Sequence, residues 1–234
     1  MSKYFEARQV KPEDYLDYTL PYWLKKRLPS NKDELILDFG CGFGQTLIEL
    51  KKIGYKNVFG CDIDDHALNY CRSKGLNVEK VDSINSFVEK YKGKFDMVLM
   101  FHVLEHFPKS EIIPTLKAVK ELLKEGGVLI ITVPNAQSNT GAYWAYEDFT
   151  HEYLFTSGSI YYVLTMAGFR QIEFIDIDCT EGLPIIIKLI RKFLLKMYTS
   201  KVHFYNKITG SSFHKQSPEI YSFEIKVLAK KCIN

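Results

Sequence analysis

The sequence predicts an α/β fold: one seven-stranded, mostly parallel sheet with helices on both faces. Three observations carry this expectation. From Glu34 onward, short apolar runs alternate with amphipathic stretches, the pattern of successive βα units. The first of those runs leads straight into a turn with glycines at 40, 42 and 44. The 234 residues, 46% hydrophobic and 25% charged, are enough to bury one substantial core and match an ordinary globular domain.

Taken in order, strands are expected at 35–39, 57–63, 76–81, 95–101 and 127–133, each a short run containing apolar residues. Helices at 45–53, 65–73 and 110–124 connect them, the last ending on the glycines that follow Glu125. Beyond residue 133 the pattern changes to a polar, aromatic loop at 135–156, a helix at 157–167 and a strand at 169–176. A strand at 221–229 closes the chain. Residues 1–30, rich in Tyr and in Lys and Arg, read as an N-terminal helical cap over the open end of the sheet, with 31–234 as the main domain.

Residues 183–198, LPIIIKLIRKFLLKMY, read as an amphipathic helix inserted between the last two strands. On a helical wheel Lys188, Arg191, Lys192 and Lys196 share an arc of about 140°, opposite Ile186, Ile190, Phe193 and Met197. The expected role is a lid or packing helix with a solvated basic side. Peripheral contact with a membrane surface and dimerisation are the alternatives, so the chain is expected as a monomer or a homodimer.

Charge and composition exclude several classes. Lys and Arg number 31 against 28 Asp and Glu, a formal charge of +3, so no broad basic field exists to grip nucleic acid. No stretch of about 18 uninterrupted apolar residues exists to span a membrane. The start, MSKYFEARQVKPEDY, lacks the apolar run and cleavage site of a secretory signal. Five cysteines, an odd number with no C-x-x-C pair, argue against a disulfide framework or a zinc site and for a reducing cytoplasm.

The chemistry concentrates at Asp38-Phe39-Gly40-Cys41-Gly42-Phe43-Gly44-Gln45. Glycines there let the backbone approach a ligand at the carboxyl edge of the sheet. Asp62 follows Gly40 by 22 positions, at the end of the next strand, where a carboxylate can accept both hydroxyls of a ribose. A dinucleotide fingerprint wants a third glycine at 45, and Gln45 stands there instead. Asp38, at the strand end, would repel a diphosphate and suits a ligand carrying a sulfonium and an ammonium. The physical argument favours S-adenosylmethionine over NAD.

These residues resemble a known family. LDFGCGFGQTL is similar to the first motif of class I S-adenosylmethionine-dependent methyltransferases, which have a Rossmann-like fold, and GCDID to the second. KVDS, FDMVLMFHVLEHF and LLKEGGVLIITVPN resemble the third, fourth and fifth, in order. DFTHEYLFTSGSIYYVLTMAGF looks like the small-molecule branch found in surface-polysaccharide biosynthesis. The resemblance implies that Gly40, Cys41, Gly42, Gly44 and Gln45 approach the methionine portion, with Asp38 meeting its amino group. It implies Asp62 on the ribose, Ile63 over one adenine face, and Asp82 with Ser83 at the adenine amino group. Phe101 and His102 would line the floor beneath the sulfonium.

The acceptor expected is a small molecule, most plausibly a sugar or a phosphorylated precursor, and not nucleic acid. No Asn or Asp followed by Pro-Pro and an aromatic follows the fourth strand, as amino-methylating enzymes of nucleic acid carry. A hydroxyl acceptor needs a base, and histidine suits neutral pH. His151, in the Asp148-Phe149-Thr150-His151 loop, is the first candidate and His106 the second. His66 is expected to be exposed near the adenosine. Glu105, His106 and His151 could instead hold a divalent cation, but nothing in the spacing demands it, and no metal is expected. Tyr143, Trp144, Tyr146, Phe149, Tyr153 and Phe155 are expected to wall the acceptor, with Lys188, Arg191 and His214 near enough for an anionic one. The other readings are a methyltransferase of a quinone-like or secondary metabolite, and a non-catalytic subunit that binds the cofactor.

Overall fold

The structure, a computed structural model, describes residues 4–212 and 217–232; His214 lies outside them. Seven strands form one sheet: β1 (Ile36–Phe39), β2 (Val58–Asp62), β3 (Val78–Lys80), β4 (Phe95–Phe101), β5 (Leu123–Pro134), β6 (Arg170–Phe174) and β7 (Glu224–Lys230). Their order is β3-β2-β1-β4-β5-β7-β6. All pairs from β3 to β5 are parallel, and β7 runs antiparallel to both of its neighbours. The expected α/β fold, a Rossmann-like, mostly parallel sheet in a single domain, is present.

Strand alternation divides the core into two layers. Leu37, Val98 and Met100 pack on one face of the sheet, while Ile36, Met97 and Leu99 pack on the other. Both faces are covered by helices, which is why the central strands are apolar throughout. In chain order α1 (Tyr4–Ala7) and α2 (Tyr22–Lys25) precede the sheet, followed by α3 (Gln45–Lys52), α4 (Asp65–Ser73), α5 (Ile84–Tyr91) and α6 (Lys109–Leu122). Then come α7 (Gly141–Glu147), α8 (Ser157–Met166) and α9 (Ile185–Thr209). In α6 the buried Ile112, Leu116, Val119 and Leu122 recur every three or four residues, the stripe an amphipathic helix turns inward.

Several expectations need correction. Among the described residues 4–30 the helical cap is not one helix but three short pieces: α1, a 3₁₀ turn at Pro12–Tyr15 and α2, four residues each. Gly126 does not cap α6, which ends at Leu122 and passes directly into β5. Its φ of +77° instead serves the irregular start of β5, where the register with β4 shifts. The loop at 135–156 contains α7, and α5 fills a connection that the sequence pattern left blank. The inserted helix extends from the expected 183–198 to 25 residues, and Arg191 and Lys192 of its basic side are turned toward the body.

The chain winds outward from β1 to β3, then returns to place β4 on the other side of β1. At such a reversal the loops after neighbouring strands diverge and leave a crevice at their carboxyl ends. The turn after β1 and the segment after β4 therefore face one another. Gly44 fixes the first of these, entering α3 with φ of +76°, and a Cβ there would lie 2.5 Å from Leu76 Cδ1 and 2.9 Å from Cys71 Sγ. A left-handed alanine costs roughly 1–2 kcal/mol before any clash. Gly44→Ala should therefore lower the melting temperature by at least about 2–4 °C in a calorimetric scan. An unchanged melting temperature would show that the turn tolerates a side chain.

Candidate active site

The turn after β1 is held by its neighbour strand. The N–H groups of Gly40 and Cys41 donate to the Cys61 carbonyl at 2.8 and 3.0 Å, and Gly42 N–H donates to Asp62 Oδ2 at 2.8 Å. The Cys41 side chain is turned away into the core, 2% exposed, so only its backbone faces the crevice. Gln45 opens α3 with its Oε1 buried and unpartnered.

Two carboxylates lie beneath this turn. Burial, joined by the charge of Asp62, pushes the Asp38 carboxyl up to about 7. Burial raises Asp62 as well, against the pull of the N–H groups of Asp64, Gly42 and Ile63. Oδ2 of Asp62 accepts one of these bonds, which leaves it capacity for another donor. Among the described residues, no basic side chain forms an ion pair with either acid. A cationic, hydroxyl-bearing ligand would relieve this charge, and a pyrophosphate would add to it.

Along the same edge, Ile63 is 48% exposed beside Asp62. Asp82 is largely solvated, 3.8 Å from Lys80, and Ser83 stands just before α5. His66 is exposed, with its ring edge-on to Phe43 at 5.6 Å.

The N-terminal segment covers the turn in a way the sequence did not disclose. A Cβ at Gly42 would lie 3.1 Å from Phe5 Cζ, and the Phe5 ring sits 4.6 Å from that of Phe43. From the same short helix Tyr4 donates to Asp148 Oδ2 at 2.7 Å, and Arg8, just past its end, forms an ion pair with Asp148. Burial works against the Asp148 charge, but Thr150, Tyr4 and Arg8 outweigh it and hold the carboxyl down to about 2. One four-residue helix thus ties the glycine turn to the loop after β5. The only signal for it was the density of aromatic residues near the N-terminus.

After β4 the chain turns sharply. His102 adopts φ of +53° and places Nε2 3.1 Å from Glu224 Oε2 and Nδ1 3.4 Å from Glu105 Oε1. Burial opposes the charged ring, and the two glutamates outweigh it, lifting its pKa to about 10. His102 is therefore an imidazolium between two carboxylates. Glu224 comes from β7, 122 positions away, and no local pattern pointed to it.

Glu105 is fully buried, with neither carboxylate oxygen hydrogen-bonded. Facing it are the two histidines predicted as bases, with ring centroids 4.8 Å apart. Nδ1 of His151 lies 2.6 Å from the Trp144 carbonyl, and Nδ1 of His106 lies 3.2 Å from that of Thr150. Nδ1 of His106 is also 2.9 Å from Thr150 Oγ1, and a neutral ring that donates from Nδ1 keeps its lone pair on Nε2. Nε2 of His151 points between Asp148 Oδ2 at 3.7 Å and Glu105 Oε1 at 4.0 Å. Burial, then His151, lowers the His106 pKa despite Glu105, which keeps this ring neutral near pH 7. Ligand atoms of Glu105, His106 and His151 lie within 4.8 Å of one another, a set able to hold a cation.

The expected aromatic wall divides in two. Tyr143, Tyr146 and Phe149 are 54%, 85% and 99% exposed, whereas Phe155 is fully buried and Tyr153 packs against the core. Lys188 and Arg191 do not form an anion site. Arg191 donates to the Cys179 carbonyl and anchors its own helix. A cavity of about 330 Å³ opens at the opposite edge of the sheet, lined by Arg27, Glu34, Asp96, Lys124 and Gly126, away from all these groups.

Comparison with known proteins agrees with this geometry. A family model for the methyltransferase domain matches residues 4–173, including the N-terminal segment. The tRNA U34 carboxymethyltransferase of Helicobacter acinonychis is 28% identical over 135 residues, covering 54% of this chain and 50% of that protein. The ubiquinone biosynthesis O-methyltransferase of Erwinia tasmaniensis is 25% identical over 123 residues, covering 50% and 49%. The chain thus spans about half the length of these curated relatives. A SAM-dependent methyltransferase of Archaeoglobus fulgidus superposes with a TM-score of 0.64 at 21% identity, covering 89% of this chain and 91% of that one. The chain belongs to the methyltransferase-domain family.

Proposed function

We propose that the chain transfers a methyl group to an oxygen of a small molecule, a sugar or a phosphorylated precursor of a surface polysaccharide, in the cytoplasm. The observation that carries this reading is the imidazole pair beside Glu105. Both rings stand next to the end of β4 with Nδ1 on a backbone carbonyl, and a neutral ring donating there would keep Nε2 free to take a hydroxyl proton. The exposed Tyr143, Tyr146 and Phe149 offer flat faces on which a sugar ring can stack. The oxygen-directed relative from Erwinia tasmaniensis supports the choice of atom and keeps a quinone-like acceptor as the alternative. Five free cysteines support a reducing compartment.

S-adenosylmethionine supplies a sulfonium-bound methyl that an oxygen can attack in line. Asp38 holds the ammonium of its methionine portion, and Asp62 accepts from the ribose hydroxyls through Oδ2. Ile63 covers one face of the adenine, with Asp82 and Ser83 at its amino group. Gly40, Gly42 and Gly44, with the backbone of Cys41 and Gln45, let the ligand lie close to the turn. Phe101 and the His102 imidazolium, neutralised by Glu105 and Glu224, close the floor. His151 takes the acceptor's proton on Nε2, and Asp148 and Glu105 stabilise the charge it gains. His106 is the second base. Holding the acceptor in line contributes much of the acceleration.

A second reading rests on Glu105. Its carboxylate is fully buried with His102 Nδ1 3.4 Å from Oε1, and together with the His106 and His151 imidazoles it makes a donor set suited to Zn²⁺ or Mn²⁺.

Two outcomes are expected. Affinity for S-adenosylhomocysteine, measured by calorimetry, should fall as pH drops through about 7, where Asp38 gains a proton and loses its hold on the ammonium. The decline should approach about tenfold per pH unit and flatten in Asp38→Asn. A wild-type affinity independent of pH would remove Asp38 from the site. In a screen of candidate acceptors, nucleotide sugars first, S-adenosylhomocysteine and a methylated product should appear. His151→Ala should then slow turnover by about 10²–10⁴ at unchanged cofactor affinity. Turnover at the wild-type rate in that variant, or methylation of tRNA alone, would overturn the assignment. Loss of turnover on chelation, restored by Mn²⁺, would favour the cation reading.

A further inference from the structure

The inserted helix α9 presents its apolar side to solvent. None of its 25 residues is buried. Ile186, Ile190, Phe193, Met197, Phe204 and Ile208 are between 54% and 69% exposed. At 100° per residue these six fall within an arc of about 60°. Contacts with the body come from the opposite half of the helix. There Arg191 donates to the Cys179 carbonyl, Lys192 lies 3.6 Å from Asp178, Tyr198 donates to Asn139 and His203 pairs with Glu219. The helix is therefore fixed to the domain with its apolar stripe outward.

The stripe is bordered by cations. Lys196 and Lys207 flank one side and Lys201 the other, and all three are exposed. The helix holds five lysines and one arginine and no acidic residue. An apolar stripe between lysines is the arrangement of a helix lying in the plane of a lipid interface, with the lysine stems in the boundary and their ammonium groups at the headgroups. No described helix is long and apolar enough to cross a membrane, so this one would lie on it. A second copy of the chain is a poorer occupant. Stripe against stripe would bring the lysine borders together with no acidic partner on either helix.

We infer that the exposed face of α9 docks this domain onto an anionic lipid surface. Its apolar residues enter the acyl boundary, and Lys196, Lys201 and Lys207 meet lipid phosphates. The inference is independent of the activity proposed above, because it rests on the outward stripe and its charge.

The test is co-sedimentation of the full chain with phosphatidylcholine vesicles, with and without phosphatidylglycerol. Binding is expected only with phosphatidylglycerol, weakening as salt is raised. Two variants separate the contributions: Phe193→Glu combined with Met197→Glu on the stripe, and Lys196→Glu combined with Lys201→Glu on its borders. Each should weaken binding at least tenfold while circular dichroism and the melting temperature stay unchanged, since these side chains lie outside the core. Absence of binding to both vesicles would overturn the inference, as would equal binding to both. So would a dimer in sedimentation equilibrium that the stripe variant dissociates, without vesicle binding by the wild type.

Discussion

Two carboxylates at the ends of neighbouring strands, with no basic side chain paired to either among the described residues, set the terms for everything around them. Asp38 and Asp62 sit at the ends of adjacent parallel strands, where the direction of winding reverses. Burying like charges together is unfavourable, and Asp38 responds by holding its proton to about pH 7. A fold keeps such a feature when a ligand compensates it. On the proposed reading the compensating ligand is cationic near Asp38 and offers hydroxyl donors near Asp62, as S-adenosylmethionine would, whereas the pyrophosphate of a dinucleotide would add negative charge.

The rest of the crevice extends the same logic. Glu105, His102 and Glu224 alternate negative, positive and negative beneath the end of β4. Nδ1 of His106 and of His151 each lies on a backbone carbonyl of the loop that follows β5. That loop is tied in turn to the N-terminus through Asp148, Tyr4 and Arg8. The glycine turn and the histidine pair are therefore linked by one short helix. The family match beginning at residue 4 places that helix within the shared domain rather than outside it.

Much of this was legible in the sequence because it depends on local pattern. Strand periodicity, the glycine turn and the acid at the end of β2 are each specified within a few neighbouring residues. What escaped depends on distant partners. The positive φ of His102 follows from its position between Glu105 and Glu224, the latter contributed by the last strand. The placement of Phe5 over Gly42 follows from tertiary packing that four residues of helix cannot announce. Gly126 looked like a helix cap, yet the adjoining strand claimed the residues before it. For α9 the wheel separated two faces and could not say which one the domain would keep; the Lys192 ion pair with Asp178 and the Arg191 hydrogen bond to the Cys179 carbonyl decided it.

The central claim is that the crevice over residues 38–46 and 62 is shaped and charged for a sulfur-containing nucleoside. Thermal unfolding with S-adenosylhomocysteine or NAD addresses it most directly. A ligand at a hundred times its dissociation constant stabilises the native state by about 2.7 kcal/mol. For a domain of this size that shifts the midpoint by roughly 5–11 °C. The account predicts such a shift with S-adenosylhomocysteine and none with NAD; stabilisation by NAD alone would contradict it.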